Sequence, residues 1–314
     1  GKAVVLFCLL IVYYGVLAPL TSMADQDEAV KWGDMSNKDC VLKAVGENGY
    51  ALRFAAEPLQ SDNDVVLAAV SENGYALRYA AGDLHDEYEI GLAAVIQNGI
   101  SLHYVSDEMK ANFDICMAAV KQNGWALQFA SDKLKDNVDI VKAAVEQNGD
   151  ALAHASESRR NDKNIVKLSV TQSGDALKFA STKLQSDRDL VMRAVKDKGT
   201  SLRYAATGLR DDRAVVTAAV TQKGTAIEFA SDKLKSDKEV ATKAVKQSGI
   251  ALQFVSPKLR NDRDMVLSAV SSNGYALQFA STALRADIAI AKAAVNKTKG
   301  AIRFTAPEIQ GSLK

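Results

Sequence analysis

The stretch Asp62-Asn-Asp-Val65-Val66-Leu-Ala-Ala69-Val70-Ser-Glu-Asn73-Gly74-Tyr-Ala76-Leu77-Arg-Tyr79-Ala80-Ala-Gly-Asp-Leu84 decides the fold. Val65, Val66, Ala69 and Val70 fall at i, i+1, i+4 and i+5, which makes one apolar stripe on a short helix. Asp62 stands where an N-cap accepts backbone N–H groups, and Asp64 adds negative charge to the first turn. Asn73-Gly74 predicts the helix end, with glycine taking the left-handed conformation at C′. A second stripe, Ala76, Leu77, Tyr79, Ala80 and Leu84, again has helical spacing. The stretch therefore predicts two short helices and a connecting turn.

The same reading holds along most of the 314 residues. Gly49, Gly74, Gly99, Gly124, Gly149, Gly174, Gly199, Gly224, Gly249 and Gly274 recur every 25 residues, and Gly300 follows after one insertion. A fixed period of this length marks a stacked repeat array. Helices shorter than ~12 residues are marginal alone, so neighbours must supply the burial. An aromatic column (Phe54, Tyr79, Tyr104, Phe129, Phe179, Tyr204, Phe229, Phe254, Phe279, Phe304) is expected to form the seam between layers, with the Ala-Val column as its small-residue counterpart. The predicted class is all-α: an α-solenoid of about eleven 25-residue two-helix repeats over residues 37–309. It is preceded by an apolar segment at 1–24 and a linker or cap at 25–36, and followed by a tail at 310–314. Leucine-rich repeats have similar periods but need an L-x-x-L-x-L strand, which does not occur.

Ala119-Val-Lys-Gln-Asn-Gly-Trp-Ala-Leu-Gln-Phe-Ala-Ser-Asp-Lys-Leu134 and Ala269-Val-Ser-Ser-Asn-Gly-Tyr-Ala-Leu-Gln-Phe-Ala-Ser-Thr-Ala-Leu284 resemble the short helical repeat known as domain of unknown function 4116. The resemblance covers residues 37–309. It implies an array built for interaction, and it transfers no catalytic residue. By analogy with similar algal and protist arrays, it also implies an accessory subunit of a large organellar membrane complex, photosynthetic or respiratory.

Composition narrows the partners. Lys and Arg total 39 against 38 Asp and Glu, so nucleic acid, which needs a concentrated basic surface, is not expected. Residues 3–20 are uncharged and apolar, near the length needed to cross ~30 Å of hydrocarbon. Two readings stand: a single-pass membrane anchor, or a signal peptide cleaved after the small-residue site Ser22-Met23-Ala24. Asn296-Lys297-Thr298 is a glycosylation sequon, meaningful only in a secretory lumen.

No constellation points to an enzyme, a cofactor or a metal. The Asp62/Asp64, Asp187/Asp189 and Asp262/Asp264 pairs lack the further oxygens, central Gly and late Glu of a calcium loop, and sit at helix starts. His85, His103 and His154 occupy three phases of the repeat without ligand partners at metal spacing. The candidate partner-contact residues are Tyr50, Tyr75 and Trp125, large side chains following the glycines, and Arg53, Arg78 and Arg203, which fall on one basic line. The middle of the array departs from the pattern: His154 replaces an aromatic, Arg159 replaces a Leu, and Asp150 and Asp175 follow their glycines. Drift or a contact region near 150–175 would account for these.

Overall fold

A computed structural model describes residues 32–313. These residues are helical or lie in turns and short extended links, with no strand among them. The apolar run at 3–20, the site at 22–24 and most of the linker lie outside the described residues. Among those described, no helix is long and apolar enough to cross a membrane.

The chain divides into two compact units, Gly1–Met109 and Lys110–Lys314. The first contains the ten-residue helices α1 (Lys38–Glu47), α2 (Asn63–Glu72) and α3 (Tyr88–Gln97), each packed on the next. The second contains α4 (Phe113–Gln122), α5 (Val138–Gln147), α6 (Lys163–Gln172), α7 (Arg188–Asp197), α8 (Arg213–Gln222), α9 (Lys238–Gln247), α10 (Arg263–Ser272) and α11 (Ile288–Lys297), stacked in chain order.

One repeat shows why the chain turns where it does. The Asn137 side chain accepts the N–H groups of Asp139 (3.0 Å) and Ile140 (3.1 Å), so α5 starts with its first donors satisfied. At the other end the Asn148 N–H donates to Ala144 O (2.9 Å). The Asn148 side chain, in turn, accepts the Asp150 N–H (3.0 Å) and opens a 3-10 helix, Gly149–His154. Asn148 thus closes one helix and caps the next from an extended backbone. After Ala155 the Ser156 N–H reaches back to Lys135 O of the preceding repeat (2.9 Å). A single α-turn, Glu157–Arg160, leads to the next cap, Asp162. The expected two helices and a turn are therefore an α-helix, a 3-10 helix and one α-turn. With three residues per turn Leu152 lies above Gly149 and His154 above Ala151; Ala151 and Leu152 are buried, and the larger His154 ring reaches the rim.

The core is aliphatic. Val65, Val66, Ala69, Val70, Ala76 and Leu77 are fully buried, as are their counterparts in most other repeats. The aromatic column, expected as the seam, is half-buried throughout, so the seam is carried by Leu, Val and Ala. A residue as large as Phe in the Leu position would hold the layers apart, because interiors are close-packed.

The periodic glycines also have a different cause from the one expected. The only described residues with positive φ are Gly33 and Gly82; the repeat glycines have none. Gly224 is buried at the start of its 3-10 helix. A Cβ there would stand closer than 3.0 Å to the carbonyl oxygen of Ala244, on the helix of the next repeat. The same clash recurs at Gly49, Gly74, Gly124, Gly149, Gly174, Gly199, Gly249 and Gly274. At Gly300, in the last repeat, the atoms nearest to a Cβ belong to the Tyr275 side chain, its hydroxyl first (2.9 Å). The period of 25 is thus the period of backbone-to-backbone approach between layers. The C-terminal layer is followed by a 3-10 segment, Pro307–Leu313, which takes in residues 310–313 of the expected tail.

Candidate interaction surface

The 3-10 helices of each unit line up side by side, because each packs on the next. In the first unit they carry Tyr50, Arg53, Tyr75 and Arg78 to one face. The Tyr50 ring meets Tyr79 edge-on at 6.3 Å, and Tyr75 meets Tyr104 at 6.2 Å. In these repeats the aromatic that follows the glycine therefore leans on the column aromatic of the next repeat. Arg53 lies over Phe54 (4.3 Å), and Arg78 lies over Tyr79 (5.1 Å) and Tyr104 (6.0 Å). Cation–π contact holds a guanidinium flat against the rings while leaving its edge in water. Tyr50, Tyr75 and Arg78, three of the six predicted contact residues, are thereby joined in one aromatic and cationic strip, and Arg53 lies on Phe54 one turn from Tyr50. Tyr50 is 38% exposed and Arg78 is exposed.

The other two are not joined to each other. Trp125 packs edge-on against His154 at 5.4 Å, and its carbonyl accepts from the Gln128 side chain (3.1 Å). Arg203 lies over Phe229 at 4.4 Å, three repeats further on. Burial holds the His154 imidazole below its usual pKa, and Lys135 adds to this, so the ring is a neutral packing element.

Two of the departures at 150–175, Arg159 and Asp175, are paired within the array. Asp175 occupies the place of an aromatic and is held by Lys198 and by the Ser201 hydroxyl (2.8 Å), both from the next repeat. Lys198 and Ser201 hold its carboxyl below the usual range against the opposing effect of burial. Arg159, in place of a Leu, reaches Asp136 (3.2 Å) and Asp162 (3.6 Å).

Sequence reading missed a second column. In much of the array the first residue of a main helix pairs with the capping Asp of the following repeat: Lys163 with Asp187 (2.6 Å), Arg188 with Asp212 (2.8 Å), Arg213 with Asp237 (3.4 Å), Lys238 with Asp262 (2.6 Å) and Arg263 with Asp287 (3.0 Å). Lys38 with Asp62 (2.8 Å) does the same in the first unit. Where the next cap is the neutral Asn137, the position holds Phe113 instead. Where it holds Val138, Arg159 supplies the cation that Asp162 lacks. The signal was present as a Lys or Arg spaced 24 residues before an Asp.

The overall neutrality averages two opposed parts. Residues 32–109 contain 4 Lys and Arg against 13 Asp and Glu, whereas residues 110–314 contain 33 against 22. Burial pushes the Cys116 thiol up to about 12, and its S–H donates to Lys110 O (3.1 Å), which makes it an unreactive core side chain. Among the described residues no group of His, Cys, Asp or Glu is placed to hold a metal.

A family model described as Domain of unknown function (DUF4116) matches residues 37–84, 89–135, 112–160, 137–185, 162–210, 187–235, 212–260 and 262–310. Each match spans about two repeats, the smallest number in which a layer finds a neighbour. No curated protein and no solved structure matches the chain.

Proposed function

The chain belongs to the family of the domain of unknown function 4116, and from that premise we propose that it is a non-enzymatic protein–protein interaction scaffold. The observation that carries this reading is the strip of Tyr50, Tyr75 and Arg78, braced by the half-buried Tyr79 and Tyr104. Tyr and Arg are the side chains that concentrate binding energy at interfaces, and these are held in place before a partner arrives. Residues 3–20 hold the array at a membrane, and the partners are subunits of a membrane complex. An organellar photosynthetic or respiratory assembly fits by analogy with similar arrays. The test is capture of partners in mild detergent followed by mass spectrometry. Tyr50→Ala/Tyr75→Ala/Arg78→Glu should weaken capture by about thirtyfold or more, the scale of hot-spot loss, with the circular dichroism unchanged. Unchanged capture removes the strip from the interface.

A second reading, a secreted or lumenal binding module whose leader is cleaved, draws support from Asn296. This sequon residue is exposed on α11. N-terminal sequencing of the mature protein separates the two: a start near Asp25 selects the second, and retention of residues 3–20 selects the first.

A further inference from the structure

A cleft of about 740 Å³ runs between α6 and α7 in the second unit. These are the most loosely apposed neighbouring main helices of that unit. Lys163, Lys167, Arg193 and Lys196 bring four cations to it, and Asp189 and Asp197 bring two carboxylates. Two of these charges are already used. Lys163 is held by Asp187 (2.6 Å), and Asp197 accepts the Gly174 N–H (2.8 Å). Lys167, Arg193 and Lys196 are exposed and meet only Asp189 as a remaining carboxylate in the cleft. Its floor is apolar, built from Val170 and Leu190, which are buried, and Met192, which is half-buried. The next helix does not repeat the arrangement, since α8 places Thr217, Ala218 and Thr221 where α7 has Met192, Arg193 and Lys196.

We infer that this cleft binds an acidic peptide segment that carries an apolar anchor. Three unmatched cations above an apolar floor complement alternating carboxylate and aliphatic side chains. The excess of basic residues over 110–314 adds long-range attraction for such a segment. A nucleic-acid strand fits less well: the cleft has no aromatic platform for its bases, and Asp189 faces its phosphates. The inference rests on the scaffold reading and names the chemistry of one partner.

The test uses the full chain and a fluorescein-labelled peptide, Glu-Glu-Leu-Glu-Glu-Leu-Glu-Glu, followed by fluorescence anisotropy at about 50 mM salt, where screening is modest. Lys167→Glu/Arg193→Glu/Lys196→Glu should weaken binding at least about tenfold. Lys121→Glu/Lys258→Glu/Lys292→Glu, which changes the charge equally on exposed sites of the same unit, should stay within about twofold. A peptide with Ser in place of Leu should bind several-fold more weakly. Circular dichroism checks that both variants fold. Equal losses in the two variants would mean diffuse attraction and overturn the cleft, as would tighter binding of single-stranded oligothymidine through the same residues. Should the peptide ignore the cleft variant while the Tyr50/Tyr75/Arg78 variant still abolishes partner capture, the cleft fails and the scaffold stands.

Discussion

Gly224, Gly46 and Gly300 separate the reasons for which a glycine can be present. Gly224 has the Ala244 carbonyl where its Cβ would be, and both belong to backbone that cannot swing aside. Gly224→Ala should therefore destabilise by about 1–3 kcal/mol, the range for overpacking a close-packed interior, seen as a lower urea midpoint. Gly46 lies in α1 with nothing within 4 Å of a Cβ, so Gly46→Ala should stabilise by about 0.5–1 kcal/mol through helix propensity alone. Gly300→Ala first meets the tip of the Tyr275 side chain, which can move, and should be near neutral. If all three behave alike, the interlayer explanation of the period fails. The positions of these glycines were legible in the sequence. Their cause was not, because a helix end and a close approach of two backbones select the same residue.

At the scale of the element, the capping Asp performs two tasks. Asp212 accepts the Ala214 (2.8 Å) and Val215 (3.1 Å) N–H groups and also pairs with Arg188 across the layer (2.8 Å). Asp212→Ala should cost about 1–2 kcal/mol, chiefly the cap. Arg188→Gln should cost less than loss of the cap, since the pair is partly solvated. A double-mutant cycle between them reads the coupling. The same pairs set a pH dependence. The Arg188 hydrogen bond holds the Asp212 carboxyl below its usual range, and Lys238 does the same for Asp262. A carboxyl lowered in the folded state stabilises above its unfolded value, near ~4, and that contribution is lost as pH falls through the folded value. The urea midpoint should be flat near neutrality and fall below about pH 4, less steeply in Asp212→Asn. Most caps were legible from an Asp at the start of the apolar stripe. The cross-layer partner left only a spacing, Lys or Arg 24 residues before an Asp, whose meaning depends on how far successive helices are offset.

At the scale of the whole molecule, each unit is a stack in which a layer touches only its neighbours. Stability is then a sum of local terms and nearest-neighbour terms. Gly224→Ala should raise amide exchange in α8 and α9, on either side of the altered joint, and leave α1 and α2 at wild-type protection. Uniform loss across the chain would mean one cooperative block and contradict the stacked description. The charge of the molecule is also legible only at this scale. A net value near zero conceals an acidic first unit and a basic second one, and the unit boundary is what divides the count.

Sequence alone determined the helical class, the 25-residue repeat, the α-helix boundaries near each Asp and Asn, and the buried Val, Ala and Leu positions. All of these follow from contacts within about one repeat, where spacing along the chain and spacing in space are tied together. Tertiary structure decided that the aromatics line a rim, that glycine marks contact between backbones, that cations bridge successive caps, and that α6 and α7 part to leave a cleft. Each of these depends on the distance and offset between layers, which packing sets and no single repeat contains.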